Sequence, residues 1–229
     1  MARGLLIVFA GQNGSGKTSL INGITEKLNN SNIVIKNRDE DSEIKLWNVF
    51  KFPNRNTILG KKIDDFLKNK IKLSKEIELK FFAANRKEFQ FEIINLLKNG
   101  YNVICDRYVY CSMAYTLTNQ TIDIKNNINV NILSMNCILE YDCDLIKPDY
   151  TFLIRGDFLA LRNEIAERYH NDGLFNDLLL NNYILSLACT NSNFTIIENK
   201  LGKLNEAIDT IINKLNYITK KKINIIQKF

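Results

Sequence analysis

The residues with the clearest chemical signature form one glycine-rich segment near the start of the chain. They read Gly11-Gln12-Asn13-Gly14-Ser15-Gly16-Lys17-Thr18, which matches the pattern G-x-x-x-x-G-K-[ST] in full. Glycines let the backbone wrap closely around phosphate groups, with main-chain N–H groups and the positive end of the following helix directed at the anion. We expect Lys17 to reach the β- and γ-phosphates of a nucleotide and Thr18 to ligate Mg²⁺. The segment therefore predicts a nucleotide-phosphate loop, called the P-loop below.

Further polar residues could complete a site for phosphoryl transfer. Asp106 and Arg107 directly follow an apolar run. There, a carboxylate beside the P-loop suits Mg²⁺ or its waters, and a guanidinium can bridge phosphates. Arg55 stands in a loop segment, and Phe82 lies four residues before Arg86 in a helical pattern, which puts ring and guanidinium on one side. Taken alone, Arg55 could be an ordinary surface arginine and the Phe82–Arg86 pair could be simple packing.

The elements that would position these residues alternate between strands and helices. Apolar runs predict strands at residues 5–10, 33–35, 103–105, 150–154 and 194–197. Helical periodicity predicts helices at residues 17–29, 61–70, 77–98, 174–187 and 204–215. This alternation predicts an α/β fold with a doubly wound five-stranded parallel sheet, the P-loop NTPase architecture, whose ligands bind at the carboxyl ends of the strands. Residues 116–147 give no readable pattern.

Length and charge limit the class of protein. A chain of 229 residues with 45% hydrophobic residues predicts one domain, residues 1–229, with at most an appended lid. The net charge of +6 is weak evidence for a nucleic-acid partner. Four lysines lie in the last ten residues, which leaves a charge of about +2 for the rest of the chain. We interpret this basic tail, about residues 219–229, as a solvated end and predict no nucleic-acid partner.

The cysteines and the apolar runs predict a cytoplasmic protein. The five cysteines are an odd number without C-x-x-C spacing, which fits reduced thiols better than a disulfide framework or a zinc site. No apolar stretch approaches the roughly 18 residues that span a bilayer, so no membrane partner is expected. The short apolar run at residues 5–10 leads into the P-loop and not into a cleavage site.

Five segments together resemble the thymidylate kinase family of P-loop nucleoside-monophosphate kinases. They are Phe52-Pro53-Asn54-Arg55-Asn56-Thr57-Ile58-Leu59-Gly60-Lys61, Phe82-Ala83-Ala84-Asn85-Arg86-Lys87-Glu88, Asp106-Arg107-Tyr108-Val109-Tyr110-Cys111-Ser112-Met113-Ala114-Tyr115, Ile146-Lys147-Pro148-Asp149 and Glu167-Arg168-Tyr169-His170-Asn171-Asp172-Gly173-Leu174-Phe175. They follow the family's order across about residues 3–198. The resemblance implies phosphorylation of dTMP to dTDP with ATP and Mg²⁺, in a homodimer that carries an arginine-bearing lid at about residues 156–175.

The resemblance also implies roles for individual residues. ATP would be bound by Gly11, Asn13, Gly14, Ser15, Gly16, Lys17, Thr18 and Ser19, and Mg²⁺ by Thr18 and Asp106. The dTMP site would comprise Asn13, Phe52, Pro53, Arg55, Phe82, Asn85, Arg86, Arg107, Ser112, Tyr115 and Tyr169. Arg55 and Arg107 would hold the acceptor phosphate, Phe82 would stack on thymine, Arg86 would bond the base edge and Tyr115 would crowd the 2′ position. Catalysis would fall to Lys17, Asp106, Arg107, Arg162 and Arg168.

The sequence departs from the family pattern beside the phosphates. Family members often carry a basic residue at the position of Gly14 and acids at the positions of Asn13 and Ala10, and all three are neutral here. Arg162, or failing that Arg168, is therefore expected to supply the missing charge from the lid. Lys87 and Ser112 also differ from the family residues. A kinase for another nucleotide or a deoxynucleoside, or a nucleotide-binding protein with weakened catalysis, remains an alternative.

Overall fold

The computed structural model describes residues 3–30, 47–128, 132–156, 158 and 173–226. Its strands are β1 (Leu6–Ala10), β2 (Trp47–Lys51), β3 (Asn102–Asp106), β4 (Tyr150–Arg155) and β5 (Phe194–Glu198). Its helices are α1 (Lys17–Asn30), α2 (Ile58–Leu67), α3 (Lys75–Lys87), α4 (Gln90–Lys98), α5 (Val109–Lys125), α6 (Met135–Glu140), α7 (Gly173–Cys189) and α8 (Leu204–Ile226). Within these residues, no helix combines the length and apolarity needed to cross a membrane.

The five strands form one parallel sheet in the order β2-β3-β1-β4-β5. All five residues of β1 are buried, because the strand lies in the middle of the sheet and helices cover both faces. β1 pairs with β3 on one side and with β4 on the other, and all three strands are parallel, so their carboxyl ends lie together beside the P-loop. The predicted doubly wound α/β fold is confirmed.

The core consists of two layers, one on each face of the sheet. Along β1, Leu6, Val8 and Ala10 belong to the layer that contains α5 and α7, whereas Ile7 and Phe9 belong to the layer that contains α1 and α8. Successive side chains of a strand point to opposite faces, so a continuous apolar run is what a strand covered on both sides requires.

The edge strand next to β3 differs from the prediction. The expected strand at residues 33–35 lies outside the described residues, and the strand that pairs with β3 is Trp47–Lys51. In this strand Trp47 is buried while Val49 is 47% exposed. An edge strand of five residues with mixed burial gives only a weak apolar signal, which is why the sequence pattern did not reveal it.

The helix predicted at residues 77–98 is two helices. α3 ends at Lys87 and α4 begins at Gln90, with Phe89 between them. The Phe89 ring packs edge-on against Phe50 and Phe52, with ring centroids 6.1 and 6.0 Å apart. The apolar residue that extended the helical pattern is therefore partly buried at a turn of the chain.

Two regions without a strong sequence signal are helical. Residues 116–147 contain the end of α5 and all of α6, and the Gln120 amide bonds both backbone groups of Leu133 across the intervening residues. α8 continues to Ile226, beyond the predicted end at residue 215, and Thr219 within it is buried. Residues 219–226 of the predicted basic tail are thus helical, a structure that the sequence pattern did not predict.

Candidate active site

The P-loop lies between the end of β1 and the start of α1, and its glycines permit backbone geometry that other residues would strain. Gly11 has φ +137°, and a Cβ there would lie 2.3 Å from the carbonyl oxygen of Ile154. Gly16 has φ +79°, and a Cβ there would lie 2.3 Å from Nδ2 of Asn199. Both positions combine left-handed backbone with close approach of a neighbouring strand end, so only glycine fits. The loop therefore presents its backbone without side chains in the way.

Neighbouring segments hold the P-loop in place. The Asn199 amide, after β5, donates to the Ser15 carbonyl oxygen at 3.0 Å. The Gln12 amide donates to the Gly156 carbonyl oxygen at 2.9 Å, and the Phe158 N–H donates to the Gly14 carbonyl oxygen at 2.9 Å. Asn199 was not predicted, although it directly follows a strand at the edge where ligands bind. These bonds link the loop to the ends of β4 and β5.

Lys17 lies against the inside of the P-loop and is 6% exposed. Its Nζ donates to the Gln12 carbonyl oxygen at 2.5 Å and to the Ser15 hydroxyl at 3.1 Å. Thr18 and Ser19 follow in the first turn of α1 and are exposed. The ammonium is thus held on the concave side of the loop, where a bound phosphate would replace these two oxygens as its hydrogen-bond partner.

Asp106 and Thr18 form a pair that suits a hydrated magnesium ion. The Thr18 hydroxyl donates to Oδ2 of Asp106 at 3.2 Å. Oδ1 of Asp106 is buried and accepts no hydrogen bond from any described residue. The described residues contain no cluster of three His, Cys, Asp or Glu side chains, and Mg²⁺ typically takes few protein ligands and completes its shell with water and phosphate. The two residues present therefore fit Mg²⁺ held against a bound nucleotide.

Arg107 is held rigidly between the P-loop and α7. Its backbone has φ 69°, which is uncommon for a residue other than glycine. Nη1 donates to the Gly11 carbonyl oxygen at 3.0 Å, and Nη2 donates to Oδ1 of Asn13. The guanidinium carbon also lies 5.8 Å from the centre of the Tyr115 ring. Every contact fixes the direction of the guanidinium, which is the requirement for a group that orients a phosphate.

Tyr183 on α7 was not predicted to belong to the site. It connects α7 to the P-loop and to Arg107. Its hydroxyl donates to the Gly11 carbonyl oxygen at 3.3 Å and lies 3.4 Å from Nη1 of Arg107, which donates to it. The side chain is fully buried, and burial raises the pKa of Tyr183 well above its usual value. The phenol therefore stays protonated as a donor. Its position in the middle of an apolar helix gave no signal in the sequence.

A pocket of about 570 Å³, partly continuous with solvent, opens next to Arg107. Nine predicted acceptor-site residues line it: Asn13, Phe52, Pro53, Arg55, Phe82, Arg86, Arg107, Ser112 and Tyr115. The lining also includes Leu67, Tyr108 and Cys111, which were not predicted. The predicted segments from four separate stretches of sequence thus converge on one cavity beside the P-loop.

Arg55 lines this pocket while paired with Asp64 of α2. Its Nη1 lies 2.7 Å from Oδ1 of Asp64, and Lys68 binds the other carboxylate oxygen at 2.6 Å. Partial burial raises the pKa of Asp64, but hydrogen bonds and charges from Lys68 and Arg55 outweigh this effect and hold the pKa below its usual value of 3.8. The carboxylate is therefore ionised at neutral pH and positions a guanidinium that is 40% exposed.

Asn85 does not line the pocket, in contrast to the prediction. It is fully buried, and its amide bonds both backbone groups of Asn54, at 2.7 and 3.1 Å. The same amide donates to Glu88 at 2.8 Å. Asn85 thus holds the loop that carries Arg55 in place from behind.

Arg86 lines the pocket from a buried ion pair. Its Nε and Nη2 donate to the carboxylate of Asp142, with Nη2 and Oδ2 2.6 Å apart, and both side chains are at most 5% exposed. Burial raises the pKa of Asp142 above its usual value, although the charge of Arg86 acts in the opposite direction. Asp142 lies in the stretch without a readable pattern, so only the structure associates it with the site.

The lid residues in the predicted site lie outside the described residues. They are Arg162, Arg168 and Tyr169. Their roles stay predictions from the sequence. The site described above consists of the P-loop, the ends of β1 and β3, the Arg55 loop, α3 and α5.

The fold and the site together define a class of protein. A P-loop at the end of a central parallel strand, an Asp–Thr pair that fits Mg²⁺ and an arginine-lined pocket beside them are typical parts of a P-loop kinase. A model of the family described as thymidylate kinase matches residues 9–201. The chain belongs to the thymidylate kinase family and is a kinase of that family.

Solved structures agree with this assignment. The thymidylate kinase of Candida albicans, a structure reported to reveal the origin of broad substrate specificity, is 27% identical with a TM-score of 0.76. That match covers 96% of this chain and 95% of the other. The thymidylate kinase of Ehrlichia chaffeensis is 23% identical with a TM-score of 0.64, covering 93% of this chain and 98% of the other, which supports the fold alone.

Proposed function

We propose that the protein transfers the γ-phosphoryl group of ATP to the phosphate of dTMP, forming ADP and dTDP. The observation that carries this proposal is the position of Arg107. It lines the acceptor pocket and at the same time bonds the Gly11 carbonyl oxygen of the P-loop. A phosphate held by this guanidinium would lie next to the donor phosphates, as direct transfer requires.

The charge at the site supports phosphoryl transfer without covalent chemistry by the protein. Lys17 in the P-loop would neutralise the donor phosphates, and Arg107 would bind the acceptor oxygen in line with them. Thr18 and Asp106 would hold Mg²⁺, which would supply positive charge that neutralises the donor phosphates during transfer. The acceptor phosphate is already an oxyanion, so these residues need to position it and do not need to remove a proton from it.

The acceptor pocket supports a deoxynucleoside monophosphate as the acceptor. Arg55 would bind the acceptor phosphate at the open end, and its guanidinium fork matches phosphate oxygens. Phe82 would stack on the base, and Arg86 would donate to the base edge. Tyr115, whose pKa is raised by burial, would stand as a neutral phenol against the 2′ position of the sugar.

The lid and the assembly extend this proposal beyond the described site. We place a lid at about residues 156–175 within a single domain of residues 1–229. Its Arg162 would supply the positive charge that Gly14 lacks, with Arg168 as the second candidate and Tyr169 at the acceptor. Arg162→Ala should then lower kcat more than Arg168→Ala. A homodimer is proposed from the family, and light scattering giving a dimer mass would support it.

The test is an acceptor panel with purified protein, ATP and Mg²⁺, following ADP formation with dTMP, dUMP, dCMP, dGMP, AMP, UMP and thymidine. Preference for dTMP is the expected result. Lys17→Met should lower the rate of transfer by about three orders of magnitude, since the P-loop lysine would neutralise the charge of the donor phosphates. Lys27→Met is the matched control, because Lys27 lies on the same helix in a surface pair with Asp209. Transfer to thymidine but not to dTMP, or to no acceptor at all, would contradict the proposal.

A further inference from the structure

Arg86, which lines the acceptor pocket, belongs to a buried ion pair that the proposed transfer does not itself require. The Arg86 guanidinium on α3 is bound by the carboxylate of Asp142, which lies in the turn after α6. Three contacts of 3.1, 2.9 and 2.6 Å join Nε and Nη2 of Arg86 to the two carboxylate oxygens. Both side chains are almost fully removed from solvent, at 3% and 5% exposure.

This pairing determines which part of Arg86 can meet a ligand. Nε and Nη2 donate to Asp142, and Nη1 takes no part in these three contacts. Since Arg86 also lines the pocket, Nη1 is the group available there. A guanidinium has N–H donors and no acceptor and does not lose its proton. The fixed group can therefore bond a carbonyl oxygen and offers nothing to an amino group.

We propose that Asp142 is a positioning and specificity-determining residue, which fixes Arg86 so that the pocket selects bases presenting a carbonyl oxygen and rejects bases presenting an amino group at that place. The proposal rests on the proposed function, because it concerns the acceptor pocket of that reaction. It deepens that function by naming the residue through which the base preference arises. Asp142 acts through Arg86 and does not contact the substrate.

Stability alone does not account for this pair. Moving two charges out of water is unfavourable, so a buried ion pair stabilises a fold about as much as an apolar pair of similar size or less. The next residue along α3 provides a comparison: Lys87 pairs with Asp144 at 2.8 Å, but those side chains are 39% and 57% exposed. The two pairs bridge the same two segments, and only the buried one reaches the pocket.

The experiment compares Asp142→Asn with Asp144→Asn, which removes a carboxylate two residues away in the exposed pair. For each protein, kcat and KM are measured with dTMP, dUMP and dCMP, together with KM for ATP and the midpoint of thermal unfolding. Asp142→Asn should raise KM for dTMP and dUMP by about tenfold or more and reduce the preference for dTMP over dCMP by a similar factor. KM for ATP should change less than about twofold, and Asp144→Asn should resemble the unchanged protein.

A further variant separates positioning from folding. Asp142→Glu keeps the charge and should recover part of the preference for dTMP, which a loss of folding stability would not predict. If Asp142→Asn does not fold, Asp142→Glu is the test, because it keeps Arg86 and the charge but displaces the carboxylate, so its preference for dTMP over dCMP should lie below that of the unchanged protein. An unchanged dTMP-to-dCMP ratio in a folded variant would overturn the proposal. Failure of the unmodified protein to phosphorylate dTMP would instead contradict the proposed function.

Discussion

The hydroxyl of Thr18, at the start of α1, lies 3.2 Å from Oδ2 of Asp106, at the end of β3. The pair joins residues 88 positions apart and leaves the buried Oδ1 of Asp106 without a donor among the described residues. A buried carboxylate oxygen without a partner is costly unless a cation or its water completes the site. The geometry thus explains why an aspartate is needed at this strand end.

Replacing Asp106 should therefore weaken the binding of Mg²⁺ during the reaction. We expect Asp106→Asn to lower kcat by about 100-fold or more and to raise the Mg²⁺ concentration at half-maximal rate, because an amide binds Mg²⁺ more weakly than a carboxylate. Thr18→Ala should act in the same direction. The measurement is a Mg²⁺ titration at saturating ATP. Asp209→Asn, on the exposed side of α8, is the control, and an unchanged Mg²⁺ dependence in Asp106→Asn would rule out the metal role.

Much of the site could be predicted from the sequence because its elements carry strong local signals. The P-loop couples a glycine pattern to an apolar strand and a helix, and Asp106-Arg107 marks a strand end. These signals reflect the backbone geometry and the burial that any protein with this fold requires. They were sufficient to predict the fold and the P-loop, whereas the nine predicted residues that line the pocket came from the resemblance to the thymidylate kinase family.

The unpredicted residues depend on packing between segments distant in sequence. Asp142 reaches Arg86 across 56 positions, and Tyr183 reaches Gly11 across 172. Asn85 was assigned to the ligand, yet its amide supports the neighbouring loop. A polar residue within an otherwise unpatterned or apolar segment has no periodicity that would indicate its partner, so such pairs emerge only when the chain is folded.

Arg55 should determine acceptor affinity and leave the donor unaffected. Arg55→Gln removes the guanidinium that faces the pocket and should raise KM for dTMP by about 30-fold to 100-fold, with KM for ATP unchanged within about twofold. Lys68→Gln is the matched control, since Lys68 pairs with the same Asp64 at 2.6 Å but does not line the pocket. Equal effects of the two variants would show that Arg55 acts by structure and not by binding phosphate.

Tyr108 and Tyr110 should respond oppositely to removal of their hydroxyl groups. The buried hydroxyl of Tyr108 has no hydrogen-bond partner among the described residues, whereas that of Tyr110 lies 2.6 Å from the Ser192 hydroxyl. Tyr108→Phe should therefore raise the free energy of unfolding by about 1 kcal/mol, and Tyr110→Phe should lower it by about 1 kcal/mol. Urea denaturation at pH 7 measures both. A loss of stability in Tyr108→Phe would indicate a bound water as its partner.

Alkaline pH should destabilise the fold through its buried phenols. Burial raises the pKa of Tyr108, Tyr110 and Tyr183 above the value of 10.0 that applies to an unfolded chain. Between the unfolded and folded pKa values the unfolded state has lost the proton and the folded state retains it. The stability contributed by each protonated phenol is thus fully present below pH 10 and is lost progressively as pH rises above it.

Each such tyrosine should lower the free energy of unfolding by up to about 1.4 kcal/mol per pH unit above pH 10. Urea denaturation from pH 8 to pH 11.5 would measure this slope. Tyr183→Phe should make the slope shallower by about one such increment, and Tyr217→Phe, at a residue that is 59% exposed, is the matched control. Comparing the two phenylalanine variants removes the contribution of surface lysines, which titrate in the same range and are common to both. Identical slopes would mean that Tyr183 ionises in the folded state at the pH of an exposed phenol, and that the contacts joining α7 to Arg107 open before the rest of the fold.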